Sequence, residues 1–215
     1  MCVHSVDPVT IIINGYMVGF PGHRGSRRAG QPQAGPTEPG GGAPTGGDDL
    51  HLATPEPARS PVRRLRGRMP APVTVWTAYG SDGRPAGLTV SSTVVADGDP
   101  GFILGLVDEE SDLYAAATAS GRIAVMVLRA GENQLADKFA GLLPAPGGPF
   151  ADGGWDRTEY GPVRSDGRTW AGCRVVATQP VGYAQLVQAT VDTLHLSEEE
   201  RPLVHYRGRY VTLAR

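Results

Sequence analysis

A mainly β fold, an antiparallel barrel with short α-helices at its rim, is the class this sequence predicts, and three observations carry it. From Pro72 onward about seven segments are built from β-branched, aromatic and other apolar residues in strand-like runs. The links between the first three, "GSDGRPA" and "DGDP", have hairpin length, which selects antiparallel pairing because parallel neighbours need a long crossover. Only two or three short helices interrupt the strands. That is too few to cover both faces of an open parallel sheet, so closure into a six- to seven-stranded barrel is the way to hide the sheet edges.

Each element follows from local chemistry. "PVTVWTAY" (72–79) alternates and reads as a strand, residues 87–96 as a second, and "GFILGLV" (101–107) as a third. "ESDLYAAATAS" (110–120) reads as a helix capped by Ser111 or a neighbour and stopped by Gly121. "RIAVMVL" (122–128) is apolar on both parities, the signature of a central strand buried on both faces. "GENQLADKFAG" (131–141) predicts a second short helix with Leu135 and Phe139 on one side. A Gly/Pro loop runs to about 154, and strands are expected at 168–178, 183–196 and 203–213.

Ahead of this domain, expected to span 59–215, stands an extension of different composition (1–58). Of the 41 residues from 21 to 61, 17 are Gly or Pro and none is Phe, Trp or Tyr, so too little apolar surface is available to offset the entropy of ordering. Disorder is expected there. The apolar stretch "VTIIINGYMVGF" (9–20) is too short and too interrupted to span a bilayer, and no basic residue precedes it as in a secretory signal; one extra strand is expected. "RSPVRRLRGRM" (59–69) carries five arginines. Without interleaved aromatics it reads as a short solvated helix leading into the domain, not as a nucleic-acid or membrane patch.

Charge and cysteine usage narrow the function classes. A net charge of -2 supplies no global basic field for nucleic acid, and the chain is expected to be soluble and to engage no membrane. Cys2 and Cys173 form neither a disulfide framework nor a metal knuckle, which points to a reducing cytoplasm. The five histidines are scattered, so no metal site is expected. With no nucleophile motif visible, any enzyme chemistry belongs to a cofactor.

Two patterns carry candidate chemistry. If 87–96 is one unbroken strand, Thr89, Ser91 and Thr93 share a face opposite Leu88, Val90 and Val94, with Ser92 interrupting the apolar side. This row is either the wet face of an amphipathic strand or a line of small donors for a phosphate or the polar edge of a flavin ring. In "LVHYRGRYVTL", His205, Arg207 and Arg209 share parity and suit either an anionic ligand or a guarded edge strand; Gly208 bends the chain between them.

The ordered segments resemble the flavin reductase-like family, the FMN-binding split barrels. The resemblance rests on "RRLRGRMPAPVTVWTA", "DGRPAGLTVSSTVVADGDPGFILGLV", "SDLYAAATASGRIAVMVLRAGENQLADKFAG" and "RPLVHYRGRYVTL", about 150 residues in the family's order. It implies a homodimeric Greek-key split barrel that moves hydride from NADH or NADPH to FMN (or FAD), in some members for a partner monooxygenase. The resemblance implies cofactor contacts from Thr89, Val90, Ser91 and Ser92, a phosphate near Ser111 with Arg122 as cationic helper, and His205 and Arg209 on the nicotinamide side. His205 is the candidate catalytic residue. The alternative is a barrel that binds flavin, haem or a deazaflavin without turning over nicotinamide. The chain departs from the family pattern at Thr93 (often aromatic), at Met126 (usually Asn) and in "VDEESD", where Asp108, Glu109 and Glu110 would repel a nearby phosphate unless they point away.

Overall fold

The structure is a computed structural model that describes residues 60–198 and 201–213, with the backbone of 11–13 and 16–18. The rest of the Gly/Pro-rich extension, where disorder is expected, lies outside the described residues. Within the 9–20 stretch two short strands pair antiparallel, β1 (Ile11–Ile13) with β2 (Tyr16–Val18), where the sequence predicts a single one.

The domain opens with helix α1 (Pro61–Gly67) and a two-residue strand β3 (Ala71–Pro72). β4 (Thr74–Tyr79), β5 (Pro85–Val90), β6 (Val94–Ala96) and β7 (Phe102–Val107) follow, then α2 (Asp112–Ser120), β8 (Arg122–Val127) and α3 (Asn133–Phe139). A short hairpin, β9 (Trp155–Arg157) and β10 (Pro162–Arg164), precedes the long pair β11 (Trp170–Val181) and β12 (Ala184–His195). β13 (Leu203–Tyr206) and β14 (Arg209–Thr212) close the chain. Seven strands form one sheet in the order β5-β4-β8-β11-β12-β7-β6, with every pairing antiparallel.

That order dictates closure. The two outermost strands, β5 and β6, are consecutive in the chain and separated only by residues 91–93, so the sheet must curl until its edges meet. A side chain seals the seam: the Ser92 hydroxyl accepts from the Leu106 N–H (2.9 Å) and donates to the Leu106 carbonyl (3.0 Å), standing in for one rung of a ladder. The second predicted strand is therefore two, and the parity of the hydroxyl row is lost beyond Val90. The last predicted strand is also two: Arg207 (φ 50°) and Gly208 (φ 79°) turn the chain, and His205 pairs with Tyr210, so the cationic row of 205, 207 and 209 does not form.

β4 and β8 are buried on both faces, as their composition requires. Trp76, Ala78, Ile123 and Val125 face the barrel interior with Leu88, Val90, Ile103, Val107 and Leu113. Val75, Ala124 and Met126 face outward into a second cluster roofed by α3, β10 and β13 through Phe139, Val163 and Leu203. Each fully buried aliphatic side chain here contributes about 1.5–3 kcal/mol against exposure. Phe139, Phe150 and Trp155 meet edge to face with centroids 5.0–5.5 Å apart, which fixes the loop before β9. Helix α2 starts at Ser111, whose hydroxyl accepts from the Tyr114 N–H (3.1 Å), and stops at left-handed Gly121.

Cys173 is fully buried in the barrel interior, and burial, followed by the negative charge of Asp192, pushes its thiol up to about 12. In a Cys2→Ser variant the native protein is expected to react with a thiol reagent no faster than it unfolds. Prompt labelling in buffer would show that the β8–β11 contact opens readily.

Candidate functional site

Two adjoining clefts lie where α1 crosses the seam of the barrel. Their volumes are about 430 and 540 Å³, within the range of small-molecule sites. Arg63, Arg66, Ser92 and Leu106 line both and form the partition between them. α1 is set in place at each end: the Ser60 hydroxyl accepts from the Arg63 N–H (3.2 Å), and the Arg207 N–H donates to the Gly67 carbonyl (2.8 Å). Arg63 and Arg66, three residues apart, share one side of the helix.

The bend at residues 91–93 forms one wall of the smaller cleft. Its hydroxyls are partly spent on the fold. The Thr89 hydroxyl donates to the Ala136 carbonyl of α3 (2.7 Å), and the Thr93 and Thr74 hydroxyls meet at 2.9 Å. The Thr74 hydroxyl donates to the Val90 carbonyl (2.6 Å) and accepts from the Trp76 indole (3.0 Å). Two features remain for a ligand. The peptide N–H groups of Ser92 and Thr93 donate to no acceptor among the described residues, and no carboxylate lines this cleft beside Arg63, Arg66 and His205. Such a donor set fits an oxygen-rich, anionic ligand edge.

The larger cleft carries Thr89, Leu88, Tyr183 and one carboxylate, Asp108. Asp108 turns its Oδ1 to the Glu110 N–H (2.9 Å), and Glu109 accepts from the Gln185 amide (3.1 Å). Two of the three carboxylates in question are thus held by local donors.

The expected site residues separate into two groups. Thr89, Ser91, Ser92 and His205 come together on the cleft walls, with the Val90 side chain buried beneath them. His205 lies edge to face with Tyr210 (5.9 Å between centroids), whose hydroxyl donates to the buried Asp137 carboxylate (2.8 Å). Ser111 caps α2, Arg122 is ion-paired with Glu159, and Arg209 is exposed on β14; none of the three lines either cleft in the single chain. Reading the sequence alone misses Arg63 and Arg66 as cleft residues. Their i, i+3 spacing just ahead of the first strand is the signal that was there to be used.

The family model of the flavin reductase like domain matches residues 66–214. The chain belongs to the flavin reductase-like family. A family relative, the NADH-dependent FMN reductase AsuE2 of Streptomyces nodosus subsp. asukaensis, is 34% identical over 173 residues, covering 79% of this chain and 92% of its own. FMN reductase (NADH) RutF 1 of Methylorubrum extorquens (strain PA1) is 31% identical over 154 residues, 71% of this chain and 75% of the relative. Among solved structures, nitrilotriacetate monooxygenase component B from Mycobacterium thermoresistibile superposes with a TM-score of 0.63 at 28% identity, over 71% of this chain and 85% of that one. The flavin reductase-like match thus starts inside α1 and takes in the cleft residues from Arg66 onward, while Ser60, Val62 and Arg63 precede it. No helix among the described residues is long and apolar enough to cross a membrane, and no group of metal-ligating side chains gathers among them.

Proposed function

We propose that this chain is an NAD(P)H:flavin oxidoreductase that reduces FMN in the clefts under α1. The supporting observation is the smaller cleft, lined by no carboxylate among the described residues, where Ser92 and Thr93, whose peptide N–H groups have no acceptor among those residues, line the same space as Arg63, Arg66 and His205 in a chain of this family. When bound, the flavin supplies the chemistry by accepting hydride at N5 from nicotinamide C4. The protein's residues do the rest. Ser91 and the peptide N–H groups of Ser92 and Thr93 orient the ring's polar edge, Leu106 and Pro70 line its apolar side, and His205 positions the nicotinamide. No acid–base pair is required.

In this reading the working unit is a homodimer in the cytoplasm, and reduced flavin passes to a partner monooxygenase. The dimer reading is supported by exposed apolar residues beside the clefts: Val94 and Val95 are 61% and 70% exposed, and Tyr183 at the β11–β12 tip is 94% exposed. The test is spectroscopic. Purified protein mixed with FMN and NADH under anaerobic conditions is expected to bleach the visible flavin band while the nicotinamide absorbance falls. Flavin binding with no nicotinamide consumption would replace this with a carrier role.

A further inference from the structure

We propose that Arg66 is a phosphate-recognising residue, held by α1 at the partition between the clefts to read the phosphoryl group of a bound substrate. The inference rests on the flavin reductase reading and deepens it.

Four observations lead there. Arg66 lines both clefts, so it borders whichever space a phosphate enters. No carboxylate among the described residues pairs with it, whereas Arg84, Arg122, Arg164, Arg168 and Arg174 all have acidic partners. Arg66 is exposed as a whole on α1, and the protein packed near its head group lowers its guanidinium below the ordinary arginine value, with no carboxylate among the described residues offsetting this. The smaller cleft adds Arg63 and His205 and is lined by no acid among the described residues. A fork of donors with no carboxylate partner among the described residues, in the same cleft as Ser91, Ser92 and Thr93, is the chemistry that binds a phosphate bidentately.

FMN and the dinucleotide both carry phosphate; riboflavin does not. The test compares Arg66→Ala, Arg66→Lys and the wild type by flavin fluorescence titration with FMN and with riboflavin, and by the KM for NADH. Arg64→Ala, whose residue lines neither cleft, serves as the charge control. Arg66→Ala is expected to weaken FMN binding about tenfold or more while leaving riboflavin within about twofold, and lysine is expected to restore only part of the loss. A tenfold rise in the NADH KM with both flavins unchanged assigns the phosphate to the nicotinamide and sustains the proposal. Equal weakening of FMN and riboflavin, no change in any ligand, or an equal effect of Arg64→Ala overturns it. A wild type that binds FMN but consumes no NADH removes the reductase reading and leaves the arginine assignment to stand or fall on the titrations.

Discussion

Replacing Glu132 by alanine is expected to destabilise the folded chain by about 3 kcal/mol, because it strips one of two counter-charges from a guanidinium with no access to water. The Arg168 side chain is 0% exposed. It donates to Glu132 at 2.7 and 3.1 Å and to Asp166 at 2.9 and 2.5 Å, and Glu132 also accepts the Arg129 N–H at 2.6 Å. Both carboxylates reach solvent, at 23% and 39% exposure, so Arg168→Met should cost about 1 kcal/mol or less. Denaturant unfolding of the two variants decides the matter. A methionine variant as unstable as the alanine one would show that the ion network is net glue. The network also sets an acid limit. The hydrogen bond from Arg168, reinforced by its charge and that of Arg129, holds the Asp166 carboxyl below its ordinary value despite partial burial. Its contribution is therefore complete above the ordinary carboxylate range near pH 4 and is lost as pH falls through the lower folded value. The melting temperature should drop below about pH 4, and less steeply in Arg168→Met.

Gly161→Ala should be comparably damaging for a different reason. Gly161 sits at φ +154°, and an added Cβ would lie 2.6 Å from the Thr77 hydroxyl and 2.7 Å from the Thr77 carbonyl carbon and oxygen. The neighbour is backbone of the central strand β4, which cannot yield. The Thr77 hydroxyl also donates to the Pro162 carbonyl (2.8 Å), so the β9–β10 hairpin would be levered away from β4. A loss of about 3 kcal/mol, or roughly 6–12 °C in Tm, is expected. Gly182 gives the comparison: it too has positive φ (+62°), but open space surrounds it, so Gly182→Ala should cost only about 1 kcal/mol of backbone strain. Equal thermal shifts for the two would place the effect in conformation alone, not in the contact.

What could be read from the chain alone was what local chemistry decides. Ser111 and Gly121 delimit α2 because capping is a matter of a few neighbouring groups, and "IAVM" declares a doubly buried strand by composition. The break at residues 91–93 was hidden because strand-like residues, "GLTV" before it and "VVA" after it, stand on both sides; only the sheet order shows that the chain must switch edges there. The β9–β10 hairpin was missed since Arg157, Glu159 and Arg164 break any alternation, and the pair is held by distant Thr77 and Tyr79. At the site, Ser91, Ser92 and His205 were singled out by residue type, and the structure puts them on one cleft wall. Arg63 and Arg66 were legible only as charge, because their place over the clefts depends on how α1 lies across the closed barrel.

The serine at the seam carries a wider lesson for redesign. One serine both staples the cylinder shut and forms part of the wall between the two clefts. Trimming it to widen either cleft would loosen the staple in the same stroke, so cleft size and integrity of the shell are coupled at a single side chain. Selection for a roomier pocket in this scaffold would have to act through the helix above it instead.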